Sequence, residues 1–198
     1  NQLEPLVEIM QVKGDSECRN GLSTVYGGND ELCDFEKLRK PTEEIEDCGE
    51  EYGSGGMRLV GCLSRFSFAR YALSAGLEEE RKLGINPFKL GIVAATDNHN
   101  GTPTADSESH YMGANGPDRV TEIRLRGEVE VPGGIAKGSP VRYGPGGVAG
   151  VWAEENSRQS IFSAMQRRET FGTSGPRIEP RLFASWDMPA DLCRSEDM

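Results

Sequence analysis

The segment Phe88 to Ala95 constrains this chain more than any other. It is a short, mostly apolar run containing β-branched residues, the pattern of a strand buried on both faces. Strands of that kind belong to α/β folds with helical cover. The run ends abruptly at Thr96-Asp-Asn-His-Asn-Gly101. Asp97 and His99 are two residues apart, so on an extended backbone both would project from one face. They would do so at a strand's carboxyl end, where α/β folds build their sites. One carboxylate oxygen and one imidazole nitrogen suit a borderline divalent cation such as Zn²⁺ or Mn²⁺. The same residues are also good turn formers, since Asn, Asp and Gly stabilise tight turns locally.

Leu6 to Val12 reads as a second core strand, followed by Gly14 and the polar Asp15-Ser-Glu17. Ser64 to Leu83 has the clearest helical pattern, with Phe66, Ala69, Leu73 and Leu77 at helical spacing. Ser64 suits the N-cap and Gly84 the C′ position. The order predicts a βαβ unit in which this helix crosses over between the Leu6 and Phe88 strands. A long insertion, about 14–62, would then lie over the edge that carries Asp97. Lys13, Glu17 and Asn100 are candidate substrate-binding residues on that edge. His110, the other histidine, is either a third ligand or an exposed loop residue.

Other local readings are weaker in pattern. Glu31 to Lys40 carries Leu32, Phe35 and Leu38 and predicts a short amphipathic helix ended by Pro41. Thr42 to Glu51 is strongly acidic but lacks the alternating ligand pattern of a calcium loop. Arg119 to Val131 alternates apolar and charged residues, fitting a strand or a helix start. Pro132 to Gly150 is glycine-rich and predicts an extended loop. Asn156 predicts a helix N-cap with Gln159 at N3. Thr170 to Thr173 predicts a short strand, and Ile178 to Trp186 a final one.

Bulk properties exclude several classes. The net charge of −10 argues against nucleic acid as a partner, because phosphate backbones call for basic patches. It also disfavours anionic membrane surfaces, and no apolar run approaches the ~20 residues that span a bilayer. With 25 glycines and 11 prolines among 198 residues, much of the chain is loop. Five cysteines show no Cys-x-x-Cys spacing, which argues against a zinc ribbon. Cys18, Cys33, Cys48 and Cys62 form disulfides if the protein is exported to an oxidising space such as the periplasm, and are buried thiols if it is cytosolic.

Gly91-Ile-Val-Ala-Ala-Thr-Asp-Asn-His-Asn-Gly-Thr102 resembles the last metal motif of the PHP-type metallophosphoesterase superfamily. More closely, the chain resembles the DUF3604 family placed within it. The match extends through Leu6-Val-Glu-Ile-Met-Gln-Val-Lys-Gly-Asp-Ser-Glu-Cys18, Gly84 to Gly91, Val151 to Arg158 and Arg167 to Ile178. This resemblance implies an α/β fold, a distorted PHP-like (β/α) barrel with long loop insertions. Residues 1–198 would be its C-terminal portion, with 119–198 as an appendage. It implies a metal-dependent phosphoesterase acting on a small, phosphorylated molecule, with Asp97 and His99 as the family's last ligand pair. Its opening His-x-His motif has no counterpart here, and Lys13 stands where a histidine would be expected. The chain alone is therefore expected to bind metal weakly and to hydrolyse little. A binding protein that keeps the fold without metals is the alternative.

Overall fold

The computed structural model describes residues 3–12, 14–23, 25, 29–37, 46–52, 61–99, 128–131, 134–137, 144–189 and 191–194. The protein is mixed α/β. Strand β1 (Leu6–Gln11) pairs in parallel with β3 (Gly91–Ala94), in the register Leu6 with Gly91 and Met10 with Ala94. Strand β2 (Gly14–Asp15) turns back antiparallel on the end of β1, giving the sheet order β2-β1-β3. Helix α1 (Ala69–Leu83) connects the two parallel strands, as the βαβ reading expects.

The entry to α1 is built in two stages. Ser64 does cap, but it caps a 3-10 turn at Arg65–Ser67, accepting from the Phe66 N–H. Phe68 is then extended, and α1 starts after it. The N–H groups of Ala69 and Arg70 donate to the carbonyls of Ser16 and Glu17. Those carbonyls satisfy orphan donors of the first helical turn and tie α1 to the chain that leaves β2. At the other end Gly84 adopts φ 73°, the left-handed conformation of a C′ glycine, and its N–H donates to Glu80.

Strands β6 (Val148–Val151) and β7 (Thr170–Thr173) pair antiparallel and are joined through α2 (Arg158–Arg167). The N-cap of α2 is Ser157, one residue beyond the predicted Asn156: its hydroxyl accepts from the Ser160 N–H. Strand β7 lies against β3, where the Thr170 hydroxyl donates to the Ile92 carbonyl. A Cβ at Gly172 would approach the Ala94 Cβ to 2.8 Å, so glycine is what permits this packing. The buried residues include Met10, Val12, Phe68 and Ala94, with Cys18, Cys33 and Leu63, and Ala164 in α2; the Ala94 side chain lies against Gly147 and Gly172.

Several local expectations fail for identifiable reasons. The helix predicted from Glu31 is only a 3-10 turn, Glu31–Asp34, started by Asp30. Its Leu32 is exposed, while Cys33 and Lys37 are drawn inward, so tertiary bonds override the apolar spacing. Pro132 to Gly150 is not one loop: it contains β5 (Gly134–Lys137), paired with β4 (Glu128–Val131), and most of β6. Gly150 serves close packing, because a Cβ there would enter the Phe171 ring. Ile178 to Trp186 forms no strand. Arg181 holds that segment instead, with its guanidinium 5.1 Å from the Trp152 and Phe183 ring centroids. The described residues form small separate sheets and no closed barrel.

Two disulfides, Cys18–Cys33 and Cys48–Cys62, staple the segment between β2 and α1. Among the described residues no helix is long and apolar enough to cross a membrane.

Candidate metal site at the end of strand β3

The β1–β3 ladder continues beyond the strands. The Ala95 N–H donates to the Met10 carbonyl, and the Val12 N–H donates to the Thr96 carbonyl at 3.0 Å. The chain then turns. Asp97 has φ 45°, in the left-handed region that Asp visits more readily than most residues. Asp97 Oδ1 and His99 Nε2 come within 3.4 Å of each other. The two side chains therefore converge, but through the turn and not through a strand pleat. Both reach solvent, His99 more than Asp97. Between them the Asn98 amide donates back to the Thr96 hydroxyl at 3.1 Å, closing the turn on itself.

This arrangement fits a cation. Two donors of a tetrahedral ion with bonds of about 2.0–2.1 Å stand roughly 3.4 Å apart. Among the described residues no third His, Cys, Asp or Glu joins the pair. His110, Lys13 and Asn100 lie outside the described residues. Glu17 is described and is engaged elsewhere: its carboxylate takes the Arg70 guanidinium at 2.5 Å. Arg70 also reaches Asp30 at 2.8 Å, and these partners push its already high pKa further up. Asp30 is in turn held below the usual carboxylate range, chiefly by its hydrogen bond from Arg70. The trio braces the start of α1 against the loops around the Cys18–Cys33 disulfide.

A second polar feature centres on Lys37. The Lys37 ammonium is almost fully buried against the Asp15 carboxylate and the Cys18 carbonyl, and lies 5.4 Å from the Phe68 ring centroid. Burial pulls its pKa down, and Asp15 opposes that shift. A lone Lys at the end of a broken amphipathic pattern carries no signal of this.

A cleft of about 860 Å³ runs along α1, lined by Tyr52, Phe66, Ala72, Ala75 and Phe88 among others, and excludes Asp97 and His99. Apolar clefts of this size are common ligand sites. The donor chemistry sits instead at the strand end.

Fold and site together define a mixed α/β protein that presents an Asp-x-His pair from a turn at the carboxyl end of a parallel strand. The chain belongs to the family described as protein of unknown function, DUF3604, whose family model matches residues 1–198. No curated protein matches the chain, and no solved structure does.

Proposed function

We propose that Asp97 and His99 are two ligands of a divalent cation, Zn²⁺ or Mn²⁺, in a metal-dependent hydrolase of phosphoester type. The observation that carries this reading is the 3.4 Å approach of Asp97 Oδ1 to His99 Nε2 at the carboxyl end of a parallel strand. The sequence resemblance of Gly91 to Thr102 to a PHP-type metal motif supports it. In this reading residues 1–198 are the C-terminal portion of a PHP-like domain, and further ligands come from upstream of Asn1 or from His110. Such an ion lowers the pKa of a bound water to about 7 and polarises a phosphoryl oxygen. The chain's own residues do the holding: Asp97 offers its carboxylate, His99 its Nε2, and Asn98 ties the turn to Thr96. The substrate is a small phosphorylated molecule, a class to which Lys13 and Asn100 can contribute polar contacts. The two disulfides support export to an oxidising compartment such as the periplasm.

The pairing of only two donors among the described residues favours one other reading, a binding protein that keeps this fold without a metal. Mn²⁺ titration of the 198-residue chain separates the two, read as paramagnetic broadening of the His99 ring protons. Weak, saturable broadening that disappears in Asp97→Ala supports the ligand pair. Broadening unchanged in Asp97→Ala would overturn it, and none in a chain extended upstream would favour the binding protein. In that extended chain, affinity and turnover of an aryl phosphate should both rise.

A further inference from the structure

We infer that the buried Pro145-Gly146-Gly147 segment is the positioning element of the Asp97–His99 turn. This rests on the reading of that pair as metal ligands. The Gly147 N–H donates to the Ala95 carbonyl at 2.8 Å, and the Val12 N–H donates to the next carbonyl, Thr96, at 3.0 Å. Two successive peptide carbonyls are thus gripped by two different segments, immediately before Asp97 takes its positive φ. A non-glycine residue in that conformation persists only where its surroundings over-determine it. The grip supplies that constraint.

Glycine is required for it. Gly146 has φ 83°, and a Cβ there would stand 2.6 Å from the Thr96 Cα and 2.9 Å from the Ala95 carbonyl oxygen. At Gly147 a Cβ would stand 2.6 Å from the Ala94 Cβ and 2.5 Å from the Thr173 carbonyl oxygen. Both positions meet backbone or a strand core, where nothing flexible can yield. Any side chain must therefore push the 145–147 segment off the end of β3 and release the 95–96 peptides. Asp97 and His99 touch the cation, whereas this segment acts on it only through them.

Gly146→Ala and Gly147→Ala test the inference in the 198-residue chain, with Gly150→Ala as a control. Gly150 lies on β6, just after the same segment, and its Cβ would meet the Phe171 ring, not the Ala95–Thr96 peptides. Two readouts apply: Mn²⁺ broadening of the assigned His99 ring protons, and hydrogen exchange at the Val12 amide. The Gly146 and Gly147 variants should weaken Mn²⁺ binding about 10- to 100-fold, the range for residues that orient ligands. They should also deprotect the Val12 amide, while Gly150→Ala leaves both as in the wild type. Wild-type Mn²⁺ affinity in Gly146→Ala and Gly147→Ala, or an equal loss in Gly150→Ala, would overturn the inference. If neither the wild type nor the chain extended upstream shows Mn²⁺ broadening, the metal reading fails by itself; whenever the wild type shows none, Val12 exchange alone decides, and deprotection confined to the Gly146 and Gly147 variants supports the grip. If those variants do not fold, wild-type exchange decides: Val12 and Gly147 amides exchanging at free-peptide rates would overturn it.

Discussion

Lys37→Met is expected to be far more damaging than the loss of an ordinary ion pair. Lys37 is 3% exposed and its partner Asp15 12% exposed, so neither charge is well solvated. Methionine keeps most of the buried stem but leaves the Asp15 carboxylate without its ammonium, and removing one partner of a buried pair costs about 3–5 kcal/mol. Asp15 retains the Glu17 N–H as a donor, which places the loss toward the lower end of that range. Arg167–Glu169 is the internal contrast: its groups stand 2.8 Å apart with both side chains close to half exposed. Breaking such a surface pair costs about 0–1 kcal/mol. Neutralising both members, Asp15→Asn with Lys37→Met, should recover most of the loss, because neutral replacements of a buried pair are often near neutral in stability. Equilibrium urea denaturation of the oxidised protein gives all three values. The pH dependence supplies an independent check. Burial holds the folded-state pKa of Lys37 below its ordinary 10.5. Between that depressed value and 10.5 the unfolded chain binds more protons than the folded one, so this group makes stability rise with pH across the window. Lys37→Met lacks this rise, so the wild-type-minus-variant difference should climb with pH across the window. A loss in Lys37→Met no larger than that in Arg167→Ala, or a difference curve flat across the alkaline window, would refute the argument.

Two further outcomes follow from the same structure. Replacing Cys18 and Cys33 by Ser frees a loop spanning 15 residues, and replacing Cys48 and Cys62 frees one spanning 14. Each pair should lower stability by about 3 kcal/mol on the chain-entropy account, read by urea denaturation without reductant; no loss in either double variant would show that the crosslinks constrain little. Gly84→Ala, which forces a side chain into φ 73° at the end of α1, should cost about 1–2 kcal/mol, and a gain in stability would contradict the assigned C′ geometry.

The Gly146 and Gly147 case shows why part of the site was illegible. Asp97 and His99 can be found by eye because both the strand before them and their spacing are local. The segment that grips them stands about fifty residues later and consists of Pro and Gly, whose natural reading is loop. Glycine's meaning depends on what lies opposite its missing Cβ, and that is a neighbour in space. Glu17 shows the converse: its position after β1 suggested a site residue, yet Arg70 on α1 engages it.

The sequence by itself determined the order strand, helix, strand, the end of α1 at Gly84, and the emergence of an Asp–His pair after the second strand; Ser64 was legible as a cap, although of the 3-10 turn before α1. These follow from periodicity, capping and turn chemistry, which act over a few residues. Only the tertiary structure decided which cysteines pair, that Lys37 is buried on Asp15, that the helix predicted after Glu31 stops at one turn, and that glycines at 146, 147, 150 and 172 are packing positions. Each of those outcomes depends on a contact between residues far apart in the chain, and no local pattern encodes what a distant segment will bring.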